Sequence, residues 1–107
     1  MELIASLTAP VQAVHATDIL AAAADSIDDR AALRDQADGE RSMARAISAF
    51  NAVHGTQLTE LQGWNLMLLL KIARSTAGRT NADDYTDMAG YAALAGECAQ
   101  RVHQAAA

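Results

Sequence analysis

Apolar residues recur at spacings of three and four through most of this chain, the pattern of helices that turn one face inward. From Ser42, a favourable N-cap, Met43, Ala46, Ile47, Phe50 and Val53 form one stripe. Gly55 follows, where a helix C-terminus favours a left-handed residue. A further helix opens on Thr59-Glu60-Leu61-Gln62, which has the form of a capping box. It is expected to run from Glu60 to Ala77 and stop at Gly78. Leu61, Trp64, Leu68 and Ile72 mark its stripe; Met67, Leu70 and Ala73 widen it enough to predict the central helix of a bundle.

The flanking segments carry weaker patterns. Thr17 can cap a first helix over Asp18 to Asp29, with Ile19, Leu20, Ala23 and Ile27 on one side and Ala24 beside them. Asp25, Asp28 and Asp29 then stand near its negative pole, an unfavourable placement. Arg30 to Arg41 is the least regular stretch; it accommodates a short helix over Ala31 to Ala37 or a loop. Asn81 caps an expected last helix from Ala82 to His103, with Asp83 and Asp84 in its favourable first turn. Gly90, Ala93 and Gly96 make that helix thin, which invites close approach of another helix, from this chain or a second copy. Met1 to Pro10 reads as an irregular leader. The expected architecture is all-α, a single domain over residues 1–107 built as a small bundle of three or four main helices.

Composition agrees. Alanine supplies much of the 51% hydrophobic content, only four residues are aromatic, and Pro10 is the one proline, which together disfavour a sheet. No apolar stretch approaches the roughly 20 residues that cross a bilayer, and no basic start leads into an apolar run. A soluble, cytoplasmic protein that makes no membrane contact is expected. Cys98, the single cysteine, permits no intrachain disulfide and is read as a packing residue. A net charge of −5 disfavours direct nucleic-acid binding; it can meet a basic partner, or more simply keep a small protein in solution.

Candidate chemistry is sparse. Asp84 and Asp87 are three apart on the last helix and can share a face toward a hard cation such as Mg²⁺. All-helical nucleotide pyrophosphohydrolases use helical carboxylates in this way, through paired ExxE and ExxD motifs. Neither motif is present here in clear form; Asp25 with Asp28, and Asp84 with Asp87, come nearest. Lys71, Arg74 and Arg79 can hold phosphate, or more simply pair with Asp83, Asp84 or Asp87 across the turn through Gly78. His15, His54 and His103 lack metal-ligand spacing.

Several short runs resemble a family of small helical proteins of unknown function encoded in tailed phages and prophages. They are Glu40-Arg41-Ser42-Met43, Ala49-Phe50-Asn51, Gly63-Trp64, Leu70-Lys71 with Arg74, and Asp84-Tyr85 with Asp87, Tyr91, Ala92 and Glu97. The resemblance spans about Asp29 to Glu97 and implies a helical fold in a bacterial host. Glu40, Arg41, Asn51, Lys71, Arg74, Tyr85 and Tyr91 are the polar and aromatic candidates within it. A buried network between helices or a ligand pocket accounts for them equally well. Two functions follow as expectations. One is a non-catalytic, homodimeric interaction protein without a cofactor, whose acidic surface binds a host protein or complex, for instance to inhibit a defence complex such as a CRISPR effector. The alternative is an Mg²⁺-dependent nucleotide-binding or nucleotide-hydrolysing helical protein.

Overall fold

The computed structural model describes residues 14–34 and 42–106, which form four α-helices and, within those residues, no strand. They are α1 (Ala16–Arg34), α2 (Ser42–His54), α3 (Glu60–Ser75) and α4 (Ala82–Ala106). The close helix pairs are α3 with α4, α1 with α4, and α2 with α3. The central position expected of α3 is therefore shared with α4.

Local chemistry sets the boundaries. The Thr59 hydroxyl accepts from the Gln62 amide at 3.1 Å, and the Gln62 side chain accepts from the Thr59 amide at 2.9 Å, completing the capping box. Gly55 and Gly78 take the left-handed φ values of +67° and +72° that end α2 and terminate the chain path after α3. α3 stops at Ser75, two residues short of the expected Ala77, because the Ser75 and Thr76 hydroxyls bond back to the carbonyls of Ile72 and Ala73. α4 continues past His103 to Ala106 on an alanine-rich tail. Asn81 accepts from the Asp83 amide at 3.0 Å, as a cap should.

α1 departs most from expectation. It begins at Ala16, with the Asp18 carboxylate accepting from the His15 amide at 3.0 Å, so Thr17 lies inside the first turn. It runs on to Arg34, which places Asp25, Asp28 and Asp29 in its body and removes the conflict with the dipole. The helical option for Ala31 to Ala37 holds as far as Arg34. The leader at Met1 to Pro10 and the stretch 35–41 lie outside the described residues.

The core is small. Among the described residues the buried apolar side chains are Ala23, Trp64, Leu94, Ala95 and Cys98. Ile27, Met43, Leu61 and Tyr91 pack against them half-buried. Trp64 is 3% exposed, and its indole N–H donates to Glu60 Oε2 at 3.1 Å. Arg101 of α4 donates to both Glu60 oxygens, at 3.4 and 3.2 Å. One carboxylate thus accepts from the buried indole of α3 and ties α3 to α4. Glu60 also holds the Arg101 guanidinium above its ordinary pKa, outweighing desolvation.

Much of the expected core is not covered. The α2 stripe contributes no buried residue: Phe50 is 44% and Val53 76% exposed. On α3, Leu66 and Leu69 stand out at 61% and 60%, and Leu70 and Ile72 are also exposed; on α1, Leu20 faces solvent. α2 meets α3 at Gly63, where a Cβ would stand 2.5 Å from Met43 Sδ and 2.8 Å from Ile47 Cγ1. Gly90 and Gly96 of α4, in contrast, have nothing within 4 Å of a Cβ. Among the described residues the tight helix approach therefore falls on Gly63, while Gly90 and Gly96 leave room for a side chain.

Two predictions follow from this packing. Gly63→Val should cost about 2 kcal/mol by overpacking the α2–α3 crossing, whereas Gly96→Ala should stabilise by about 0.5–1 kcal/mol; urea unfolding of both variants checks the opposite signs. Glu60→Ala should cost about 2–3 kcal/mol, because it strips an acceptor from the buried Trp64 indole and unpairs Arg101. Glu60→Gln, which keeps an acceptor, should cost less in the same measurement.

Candidate functional site

Where α1, α2, α3 and α4 converge, a cleft of about 210 Å³ opens, lined by Arg30, Ser42, Met43, Ala46, Trp64, Met67 and Tyr91. Each helix contributes through its local geometry. α1 reaches the cleft because it continues past Asp29 and carries Arg30 one turn beyond its core contacts at Ala23 and Ile27. The N-terminal turns of α2 supply Ser42, Met43 and Ala46 because Gly63 lets this end of the helix close on α3. Trp64 and Tyr91 form the aromatic wall, their rings 6.1 Å apart and tilted by 32°.

Arg30 and Tyr91 also border a narrower crevice between α1 and α4, shared with Asp87, Thr86 and Gly90. Asp87 is bound at 2.8 Å to Lys71 Nζ, their side chains 28% and 16% exposed. That hydrogen bond to Asp87 is the largest influence on Lys71 and raises its pKa from 10.5 against desolvation. The junction therefore combines an aromatic wall, flexible methionine thioethers, a guanidinium at the rim and a neutralised lysine–aspartate pair. It can take a small ligand with an apolar or planar body and an anionic end.

Lys71, Asp87 and Tyr91 thus come together at this junction. Arg30 joins them although the sequence placed it only at the head of an irregular stretch. Trp64, read as a core anchor, is buried as such and also walls the cleft. The other candidates lie elsewhere. Asn51 organises the α2–α3 turn: its side chain bonds the Leu58 carbonyl at 2.8 Å, the Thr56 hydroxyl at 2.7 Å and the Leu58 amide at 3.0 Å. Arg74 is exposed on the last turn of α3, and Tyr85 is 45% exposed at the start of α4. Asp84 sits half-buried one turn before Asp87. Among the described residues no cluster of three or more histidine, cysteine or acidic side chains could hold a metal ion. Glu40 and Arg41 lie outside the described residues; in sequence they come just before Ser42. No described helix is long and apolar enough to cross a membrane.

The chain belongs to the family described as a domain of unknown function, DUF6378, whose sequence model matches residues 18–99. The match begins in the first turn of α1, earlier than the Asp29 boundary of the resemblance, and so takes in Ile27 and Arg30 together with the rest of the junction. No curated protein and no solved structure matches the chain.

Lys71→Met should cost about 1 kcal/mol, the upper range for a partly exposed pair. The sign with pH follows from the raised pKa: the stabilisation is complete below 10.5 and is lost as pH rises through the higher folded value. Unfolding curves of both proteins should therefore differ by a constant amount at neutral to mildly alkaline pH and converge above 10.5.

Proposed function

We propose that this member of the family is a small non-catalytic interaction protein, cytoplasmic in a bacterial host, that works as a homodimer on a larger protein assembly. The carrying observation is the surface: eleven large apolar side chains are exposed among the described residues, whereas the buried apolar set is Trp64 and Leu94 with the smaller Ala23, Ala95 and Cys98. Scattered apolar exposure is ordinary, but here it includes Phe50 and Val53 of α2 and Leu66, Leu69, Leu70 and Ile72 of α3, which points to protein contact. Charge narrows the partner. Asp18, Asp25, Asp28 and Asp29 are all exposed on α1, in a chain of net charge −5. Such a surface fits a basic groove of the kind that holds nucleic-acid backbone. A phage or prophage protein that inhibits a host defence complex, such as a CRISPR effector, is the finer form of this reading.

A second reading has one observation in its favour, the cleft with Arg30 at its rim and Trp64 and Tyr91 on its wall. A nucleotide offers the planar body and anionic end such a cleft accepts. In this reading Asp84 and Asp87 hold Mg²⁺, which requires Asp87 to release Lys71, and Lys71 and Arg74 turn to phosphate.

The experiment is capture of bacterial host proteins on the immobilised chain at low salt. The expected result is a stoichiometric nucleic-acid-binding complex that loses its nucleic acid on capture. Reversing Asp25 and Asp28 to lysine should weaken that complex at least about 10-fold. Absence of such a complex, or indifference to the charge reversal, removes the interaction reading. A thermal upshift with a nucleotide and Mg²⁺ that is abolished in Asp87→Asn but kept in Lys71→Leu, which breaks the same ion pair, establishes metal ligation by Asp87 and with it the second reading instead.

A further inference from the structure

We infer that a second copy of this chain covers the α2–α3 face, with the run from Leu58 to Leu69 at its centre. The inference deepens the interaction reading above and rests on it, by naming the first partner that surface meets. Between α2 and α3, on the side of Gly63 opened by Ile47, lies an apolar cleft of about 310 Å³ bordered by Leu58, Gln62, Asn65, Leu66 and Leu69. Leu66 and Leu69 are about three-fifths exposed there, and Leu58 a little over one-third. With Ile47, half-buried beside them, these side chains form a continuous apolar lining. An apolar centre depleted of charge is the composition that marks the core of a protein–protein interface.

Charge selects the occupant. α3 carries three charged residues, Glu60, Lys71 and Arg74. Glu60 is turned to Arg101 and Lys71 to Asp87, both on α4. Arg45 is the one formal charge of α2, and it lies two residues from both Met43 and Ile47, on the opposite side of the helix from their stripe. The cleft lining is therefore free of charge in a protein of net charge −5. Copies of an acidic chain repel one another wherever charged faces meet, and least where no charge is present. A membrane surface is a poorer match, since a helix lying on lipid carries a basic margin. Asn65 suits a two-fold contact, because its amide both donates and accepts and so pairs with the same group on an identical chain.

The test uses the full chain. Light scattering on a sizing column should give about twice the 11.2 kDa chain mass at micromolar concentration. Leu66→Glu should weaken the dimer at least about 100-fold, since both partners carry the substitution, with the helical signal retained because Leu66 is already exposed. Should that variant fail to fold, cross-linking decides. Asn65→Cys should form an intermolecular disulfide on mild oxidation, and Gln100→Cys, exposed on α4, should not. A monomer at every concentration overturns the inference, as when residues 1–13 of the same chain occupy the face. A dimer that ignores Leu66→Glu and cross-links through Gln100→Cys overturns it too. Capture of a host complex by a monomeric chain leaves the host-binding part of the interaction reading standing and removes both its homodimer and this inference; a dimer through Asn65 with no host complex keeps this inference and removes host binding.

Discussion

Gly63 and Trp64 are neighbours on α3 and meet different partners. Without a Cβ, Gly63 lets Met43 and Ile47 of α2 settle against the helix backbone. One residue on, Trp64 fills the space against Leu94, Ala95 and Cys98 of α4 and leaves its indole N–H on Glu60. Glu60 in turn holds Arg101, so the largest buried side chain and the main interhelical ion pair share one carboxylate. Removing space at Gly63 or the acceptor at Glu60 disturbs the contacts that the first half of α3 makes with α2 and α4, which is why the rest of the arrangement depends on this turn. The four-helix junction is a product of the same geometry. Trp64 walls the cleft, Gly63 admits the end of α2 that supplies Ser42 and Met43, and α4 brings Tyr91 and Asp87 alongside Arg30.

The core around this turn is modest for the length of chain that folds onto it. An amphipathic helix normally spends its apolar face on burial, and most helical stability in proteins comes from that packing. α2 has the spacing but no buried residue, and α3 buries Gly63 and Trp64 while Leu66 and Leu69 face outward. The second copy proposed for the α2–α3 face would supply further packing without bringing like charges together. The same surface arrangement leaves the aspartates of α1 available to a different, basic partner.

Legibility in the sequence followed the range of the interactions. The α2 and α3 termini were readable because their signals are local: Gly55, the Thr59–Gln62 box and Gly78 each act within a few residues. The end of α1 was misread for the same reason. Three aspartates resemble a poor C-terminus, but the dipole acts only within the last turn, and α1 runs on five residues past Asp29 to Arg34. Lys71 and Asp87 were readable as opposite charges on either side of a short turn. Arg30 at the cleft and Arg101 on Glu60 were not, since nothing in their neighbourhoods points to a partner so distant in sequence. Periodicity identified the apolar face of α2 correctly but carries no information on what covers it. Asn51 stood among the candidates through the Ala49-Phe50-Asn51 run of the resemblance; its side chain ties the α2–α3 turn together.

If folding and self-association are coupled in this way, stability depends on protein concentration. The most direct measurement is the thermal midpoint of the full chain across a roughly 100-fold range of concentration. The account predicts a midpoint that climbs steadily with concentration, with a single transition in both helical signal and tryptophan fluorescence from Trp64. A midpoint that stays fixed across that range would mean the small core around Trp64 suffices by itself, and would contradict the claim that a second copy completes the fold.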